Sequence, residues 1–538
     1  MRNVLRNHRL YRSLLALSVM GALSACNSSG GDSNSSTPLP DTSYACQANV
    51  MTQSNQLRTY QIMVESFVDG DASIGHGTGY GTSHHNGDLQ GVIDSLDYIQ
   101  DLGMNAIWLT PVFESEAIAG QDHWADRLDA TGYFATDYFK IDPKFGDLAT
   151  AKTLVEEAHK RGLYVFFDGV FGHHKNGLIK PSPSGLLPSG SSNPVDYPAS
   201  LDFYKEVATY WIKELKIDGW RLDQAYQVPT DAWTQLRKAV DEASQSVTYT
   251  NSKGEQVNPL GYMVAEIWKG ESEIANEAYG SNSDPALCSA FDFPMRYRIV
   301  ETLAVNESGV GRRGVDWLDN GYSTHNQYPK HAQPNLMIGN HDLVRFGDLL
   351  QRGNLADVDV NDAEYWLRHK AAFAFQAAYT GPITLYYGDE IGDQVDGFAA
   401  KEDNNTCAIQ GLCDDHVARS SAKIEGVTAT LDANQADLKA YVTSLMTMRD
   451  AHPALYQGSR TNLVASNGSY VDLKQSGSDK VLFALNTLES ARTVILAQES
   501  VGTGELVDLL TNEKIAPSNG QYQLPMSPLQ GRFFAVTP

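Results

Sequence analysis

Short apolar runs alternate with amphipathic stretches along most of the chain. The strand-like runs are residues 60–67, 106–109, 163–167, 219–222, 262–265, 289–293, 336–338 and 382–387. Amphipathic helical patterns separate them, for example at 89–102, 148–161, 201–215 and 366–378. Eight such alternations predict a closed parallel (β/α)8 barrel, a TIM barrel, rather than an open doubly wound sheet. No GxGxxG motif follows the first strand, which disfavours a nucleotide-binding fold.

The pattern changes after about residue 453. Short alternating runs at 469–473, 481–486 and 491–496 are typical of antiparallel strands. We therefore predict a (β/α)8 barrel domain over 55–452 and a C-terminal antiparallel β-sandwich domain over 453–538.

The first 25 residues read as an export signal. Four arginines precede a ten-residue apolar stretch at 14–23, which is too short to span a bilayer stably. The segment ends in Leu23-Ser24-Ala25-Cys26, which resembles the bacterial lipobox, and Cys26 would then be lipidated. An ordinary secretory signal is the alternative. Residues 26–54 begin with a stretch rich in Ser, Gly, Asn and Pro, which predicts a flexible tether to the membrane. Asn27 resembles the signal for an outer-membrane destination in Gram-negative lipoproteins, so we expect a cell-envelope protein, on the periplasmic or the surface face.

Composition and charge exclude several classes of protein and partner. The 538 residues are 42% hydrophobic and 10% aromatic, which excludes disordered, collagen-like and multi-spanning membrane proteins. The net charge of −24 makes a nucleic acid an improbable partner.

Four cysteines remain when Cys26 is set aside. An even number in an exported chain predicts two disulfides, for which three connectivities exist. We favour Cys407 with Cys413, which lie close together in a polar segment, and by default Cys46 with Cys288. Buried free thiols are the alternative.

Ionisable and polar side chains follow one predicted strand after another. They are Asp168, Arg221, Asp223, Glu266, Asn340, His341, Asp342, Asp389 and Glu390. A single Asp at a strand end is usually a helix cap. However, the C-terminal ends of barrel strands form one rim, where the chemistry of such barrels takes place. The pattern predicts an active site.

The motifs around these residues resemble the four ordered sequence regions of the α-amylase family, glycoside hydrolase family 13. They are DGVFGH at 168–173, GWRLD at 219–223, EIW at 266–268 and GNHD at 339–342. NAIWLTP at 105–111 and GPITLYYGDEIG at 381–392 resemble its second and eighth strands, and the resemblance extends over residues 58–456.

The resemblance implies that Asp223 is the nucleophile, Glu266 the general acid and base, and Asp342 the third carboxylate, which grips sugar hydroxyls. Cleaving an acetal passes through a cationic state, which carboxylates stabilise. Arg221 lies two residues before Asp223 on the same strand, so both side chains point to the same side. The other implied substrate-binding residues are Tyr133, Asp168, His173, Trp268, Asn340 and His341. The chemistry requires no cofactor.

The sequence departs from the family pattern near the site. Gly172 replaces an Asn that ligates a structural calcium in many members, and Tyr226-Gln227 replaces a Lys-His pair. The insertion after the third strand, residues 175–197, is short enough to be a loop. Asp69 and Asp71 offer oxygen ligands for a different calcium site, although a solvated turn fits their spacing equally well.

We therefore expect a retaining hydrolase of α-glucosidic bonds, α-1,4 above all, in starch-derived glucans or malto-oligosaccharides. Interception of the same intermediate by a sugar hydroxyl would instead make a transglycosylase or an isomerase, such as a trehalose synthase-like enzyme. A non-catalytic glucan-binding lipoprotein is the third alternative.

Overall fold

The computed structural model describes residues 46, 48–77, 82–116, 128–355, 358–395 and 418–537. The predicted signal peptide, the lipidation site Cys26 and the pair Cys407 and Cys413 lie outside these ranges. No helix within the described ranges combines the length and the apolar character needed to cross a membrane.

Eight parallel strands close into a barrel, as predicted. They are β1 (Arg58–Ile62), β2 (Ala106–Leu109), β3 (Tyr164–Gly169), β4 (Gly219–Leu222), β5 (Tyr262–Ala265), β6 (Ser289–Phe291), β7 (Gln333–Met337) and β8 (Ile383–Tyr386). Each strand pairs with its neighbours in the chain, and β1 pairs with β8 to complete the ring. Nearly every strand residue is buried, as expected of strands that are covered by helices on the outside.

Helices surround the barrel and connect its strands. They are α1 (Ala48–Asn55), α2 (Leu89–Asp94), α3 (Leu96–Asp101), α4 (Leu148–Lys160), α5 (Leu201–Leu215), α6 (Thr230–Ser246), α7 (Glu271–Ile274), α8 (Phe293–Leu303), α9 (Asp316–Thr324), α10 (Phe346–Leu349), α11 (Ala363–Ala378), α12 (Ala433–Ala451) and α13 (Pro453–Gln457). Aspartates cap several of them: the Asp88 carboxylate, for example, accepts a hydrogen bond from Gly91 N at the start of α2.

Two predicted elements differ from the structure. The expected helix 89–102 is divided at Ser95, whose hydroxyl donates to the Gly91 carbonyl and competes with the helical hydrogen bonds there. The first strand ends at Ile62 instead of continuing to 67, because the chain turns into a 3₁₀ segment, Val64–Ser66.

The segments that border the site are short. A hairpin pairs Phe113–Ser115 with Ala135–Ile141 between β2 and β3. The insertion after β3, residues 175–197, contains no helix or strand, as the sequence predicts.

The C-terminal part is an antiparallel β-domain. Its strands are β9 (Ser459–Ser466), β10 (Ser469–Ser476), β11 (Asp479–Asn486), β12 (Arg492–Ala497), β13 (Leu506–Asp508), β14 (Lys514–Ile515), β15 (Gln521–Met526) and β16 (Gly531–Val536), with helix α14 (Gln498–Val501) after β12. Six strands form one sheet, and β12 pairs with β15 in a second sheet. Apolar residues of both sheets, such as Leu482, Val494 and Leu524, share one core, which makes the domain a β-sandwich with one small layer.

Buried basic side chains bind the carbonyl groups at the end of α11, and one of them, Lys474, comes from the β-domain. The Arg449 guanidinium on α12 donates to the carbonyl groups of Ala377 (2.8 Å) and Tyr379 (2.6 Å), at the end of α11, and also to that of Gly381. Lys474 on β10 donates to the Ala378 carbonyl. Cations at a helix C-terminus satisfy its unpaired carbonyl groups and oppose its dipole.

A disulfide between Cys46 and Cys288 connects the residues before β1 to the start of β6. This is the pairing expected from the sequence.

Candidate active site

Arg221 is the centre of the rim cluster. It extends from β4, is fully buried, and lies among carboxylates from three strands. Its Nη1 donates to Asp168 of β3 (2.9 Å) and to Asp223 (2.8 Å), which follows β4 directly. Its Nη2 lies 2.8 Å from Glu266 Oε2, just after β5. One guanidinium thus holds Asp223 and Glu266 on the same side of the barrel mouth.

The two carboxylates adjoining Arg221 have different environments. Asp223 Oδ1 accepts from Arg221, whereas its Oδ2 accepts no hydrogen bond from any described residue. Glu266 is 7% exposed, and burial, together with the charges of Asp223 and Asp342, outweighs Arg221 and raises its pKa to about 8. Glu266 therefore carries a proton at neutral pH, as a proton donor must.

A second layer of hydrogen bonds lies beneath these residues. The Tyr133 hydroxyl donates to Asp168 Oδ2 (2.9 Å) and accepts from His341 Nε2 (2.7 Å). Gln61 Nε2 donates to His341 Nδ1 (2.7 Å), which assigns the proton of this ring to Nε2. Burial lowers the pKa of His341 to about 3, so the imidazole is neutral. Its ring stacks on Tyr133, with the planes 6° apart.

Asp342 completes the carboxylate set beyond the end of β7. Its side chain is 26% exposed and pairs with Arg419 Nη2 at 2.7 Å. Burial alone would raise the pKa of Asp342, but the interactions with His341 and Arg419 outweigh it and lower the pKa to about 2. The Asn340 side chain accepts from Asp342 N at 2.8 Å and so sets the turn that presents the carboxylate.

The structure brings the predicted residues together, and two of them are enclosed by their neighbours. Asp168 has no exposed surface, and its oxygens are engaged by Arg221, Tyr133 and Trp108. Asn340 is only 1% exposed. Their expected binding to substrate stays a prediction.

His173 lies beside the predicted nucleophile. Its Nε2 is 3.8 Å from Asp223 Oδ2, and its Nδ1 is 2.9 Å from Gln227 Oε1. The ring is almost fully buried near the start of the loop after β3.

Two aromatic side chains stand exposed next to Glu266. Trp268 is 46% exposed, stacks on Phe293, and donates its Nε1 hydrogen to the Tyr297 hydroxyl. Tyr226 is 45% exposed, and the Lys269 ammonium lies 4.8 Å from the centre of its ring. Exposed rings of this kind stack well on the apolar faces of sugars.

Two loops bear on calcium, the family's position at Gly172 and the predicted one at Asp69 and Asp71. Within the described ranges, no group of three or more His, Cys, Asp or Glu side chains could hold a metal ion. Position 172 offers no side chain, and the space beside it is filled by Gln227, so these residues do not fit the family's calcium. In the other loop, Asp71 accepts from Ser73, while Asp88 binds the amides of Gly70 and Asp71. The calcium at Asp69 and Asp71 stays a prediction.

Sequence reasoning missed several supporting residues. Gln61 is an amide inside an apolar strand, a signal that could have revealed it, because a buried amide needs a partner. Arg419 follows no recognisable strand, and nothing local in the sequence indicates that it pairs with Asp342.

Carboxylates that share an arginine at the C-terminal mouth of a (β/α)8 barrel, one of them protonated at neutral pH, define a glycoside hydrolase. The α-amylase catalytic domain model matches residues 61–178 and 198–429. The chain therefore belongs to the α-amylase family.

Individual relatives agree with this assignment. A cyclomaltodextrinase of Geobacillus thermopakistaniensis is 28% identical over 501 residues, which cover 85% of this chain and 73% of the relative. Neopullulanase 2 of Thermoactinomyces vulgaris is 26% identical over 517 residues, covering 88% and 76%. The crystal structure of AmyP in complex with maltose is 63% identical, has a TM-score of 0.89, and covers 91% of this chain and 98% of AmyP. A further AmyP structure, of a Glu-to-Gln variant, contains maltotriose and is 62% identical.

Proposed function

We propose that this enzyme hydrolyses α-1,4-glucosidic bonds in malto-oligosaccharides or starch-derived glucans with retention of anomeric configuration. One observation carries the proposal: Asp223 and Glu266 share Arg221, yet one oxygen of Asp223 has no hydrogen-bond donor among the described residues, while Glu266 holds a proton. Cleavage with retention needs both a nucleophile and an acid, and the different environments of Asp223 and Glu266 assign these two roles.

In the first step, Asp223 Oδ2 attacks the anomeric carbon and forms a glucosyl ester. The bond to the leaving oxygen breaks, and Glu266 gives its proton to that oxygen. Arg221 keeps its charge throughout, because its carboxylate neighbours outweigh burial and raise its pKa well above the ordinary value. The ionised Asp342 would hold sugar hydroxyls and stabilise the cationic transition state.

In the second step, the deprotonated Glu266 takes a proton from water. The water oxygen attacks the anomeric carbon on the face vacated by the first product, and the ester bond to Asp223 breaks. Two inversions restore the α configuration, and Glu266 is again protonated.

The substrate assignment rests on the relatives and on the cleft. Maltose and maltotriose are the ligands of the AmyP structures, and cyclomaltodextrinase and neopullulanase are the names of the sequence relatives. Trp268 and Tyr226, exposed beside the proton donor, are suited to stacking on sugars on the leaving-group side.

The N-terminal sequence carries the proposed location. Lipidation of Cys26 followed by the tether would attach the enzyme to the cell envelope, with the outer membrane as its destination. A Cys26→Ala variant would then move from the membrane fraction to the soluble fraction, and a wild-type protein that incorporates no labelled palmitate would refute the anchor.

The mechanism is tested by NMR of the first product from a malto-oligosaccharide. The α-anomer should appear first, and an initial β-anomer would refute retention. Asp223→Asn should lose most turnover while still binding glucan; near-normal hydrolysis by this variant would refute the nucleophile. Maltoheptaose products longer than the substrate would indicate transfer to a sugar, and wild-type protein that binds glucan without turnover would indicate a binding protein.

A further inference from the structure

The hydrogen bonds of Gln227 determine which way its amide points. Its Nε2 donates to Asn193 Oδ1 (3.1 Å) and to Gln224 Oε1 (3.0 Å). Both partners are acceptors, so the nitrogen must lie on their side and Oε1 must face His173. His173 therefore donates its Nδ1 hydrogen to Gln227, and Nε2, on the side of Asp223, is left as an acceptor.

The absence of a side chain at position 172 belongs to the same arrangement. A Cβ atom there would lie 2.3 Å from Gln227 Oε1 and 2.6 Å from its Cβ, closer than atoms can approach. Gly172 thus makes room for the glutamine, and the two departures from the family pattern are one structural change.

The amide also connects both catalytic carboxylates. Gln224, which accepts from Gln227, uses its own backbone N–H to donate to Glu266 Oε2 at 3.1 Å. A series of contacts therefore links Glu266 to His173 through Gln224 and Gln227, and His173 lies next to Asp223. Asn193 connects this series to the insertion loop.

We propose that Gln227 is a positioning residue that fixes the tautomer and the orientation of His173. The amide of Gln227 occupies the space that Gly172 leaves open. His173 then accepts a hydrogen bond from a sugar hydroxyl through Nε2. This inference rests on the proposed function for the role of His173 in turnover, but the tautomer itself is a property of the protein alone.

Kinetics of three variants test the turnover role. Gln227→Leu should lower kcat/KM by about 10- to 100-fold, mainly through kcat, because small misplacements of catalytic groups are costly. Gln235→Leu, an exposed glutamine on α6, is the matched control and should behave as wild type. Gln227→Glu keeps an oxygen that can accept from His173 Nδ1 and should therefore lose less kcat/KM than Gln227→Leu.

Gly172→Ala provides an independent check of the shared space. Alone it should reduce kcat/KM about as much as Gln227→Leu, because it displaces the amide. The double variant should be no worse than either single variant, since the leucine side chain lacks the fixed amide contacts and can yield to the alanine. Multiplied losses in the double variant would overturn the coupling.

Nitrogen-15 NMR of histidine-labelled protein distinguishes failure of this inference from failure of the proposed function. Wild-type His173 should show the Nδ1–H tautomer, and Gln227→Leu should lose this preference. An Nε2–H tautomer in the wild type, or kcat/KM within twofold of wild type for Gln227→Leu, would overturn the positioning role. An Asp223→Asn enzyme that still turns over, beside the expected tautomer, would refute the proposed mechanism and leave the positioning role supported.

Discussion

Removal of the Tyr133 hydroxyl tests the hydrogen-bonded layer beneath the site. Tyr133→Phe keeps the ring and its stack on His341 but deletes the bonds to Asp168 and His341. Burial raises the pKa of Tyr133 well above its ordinary value, so the deleted group is a hydroxyl at every working pH.

The size of the expected loss depends on the hydrogen bonds that Asp168 and His341 retain in the variant. Asp168 keeps Arg221 and Trp108, whereas His341 Nε2 keeps only the Asp342 carboxylate at 3.3 Å among the partners described for it. A hydrogen bond to a charged group contributes about 1.5–3 kcal/mol and a neutral one about 1 kcal/mol. With these partial compensations, we expect the free energy of unfolding to fall by about 2 kcal/mol. Because Asp168 in turn holds Arg221, kcat/KM should fall about tenfold, equivalent to about 1.4 kcal/mol.

Denaturant unfolding and kcat/KM on a malto-oligosaccharide measure the two effects. Tyr210→Phe, a half-exposed tyrosine on α5, is the matched control and should change neither quantity. A Tyr133→Phe enzyme with wild-type kcat/KM and a free energy of unfolding within about 0.5 kcal/mol of wild type would refute the reasoning.

Three further predictions concern the proton donor, the end of α11 and the loop calcium. The raised pKa of Glu266 predicts that kcat/KM falls as pH rises through about 8, because the donor loses its proton; Glu266→Gln should lack turnover, and a profile flat to pH 10 would contradict the assignment. Between its ordinary pKa of 4.5 and the raised pKa of about 8, Glu266 binds a proton in the folded state but not in the unfolded state. The free energy of unfolding should therefore decrease as pH rises through this range. Arg449→Leu leaves three carbonyl groups without their donor and should lower the free energy of unfolding by about 3 kcal/mol or more. Lys213→Leu, at an exposed lysine on α5, is the surface comparison; equal stability of the two variants would contradict the role of Arg449 at the end of α11. Calcium at Asp69 and Asp71 should give a stoichiometric signal in dialysed protein that an Asn double variant loses, and less than about a tenth of an equivalent would remove the site.

The barrel was predictable because its strands are buried on both faces and therefore appear as continuous apolar runs. The residues at strand ends were predictable for a related reason: Asp223 and Glu266 interrupt that apolar character at the same rim. The division of the helix at Ser95 depends on one side-chain hydrogen bond, which hydrophobic periodicity does not register.

The supporting residues were harder to predict because they depend on distant contacts. Arg419 meets Asp342 across 77 positions, and Gln61 meets His341 across 280. Local patterns contain no information on such pairs. Asp168 shows the same limit, since the sequence alone does not reveal how deeply a carboxylate at a strand end is enclosed.

The pairing of β1 with β8 has a consequence for biosynthesis. The first strand is complete at Ile62, but its second neighbour begins only at Ile383. During translation, the barrel strands that precede β8 can therefore form only an open sheet with two unpaired edge strands. Unpaired edge strands can pair with other chains. We expect fragments that stop before Ile383 to aggregate, and the ring to close late, when nearly the whole catalytic segment has left the ribosome.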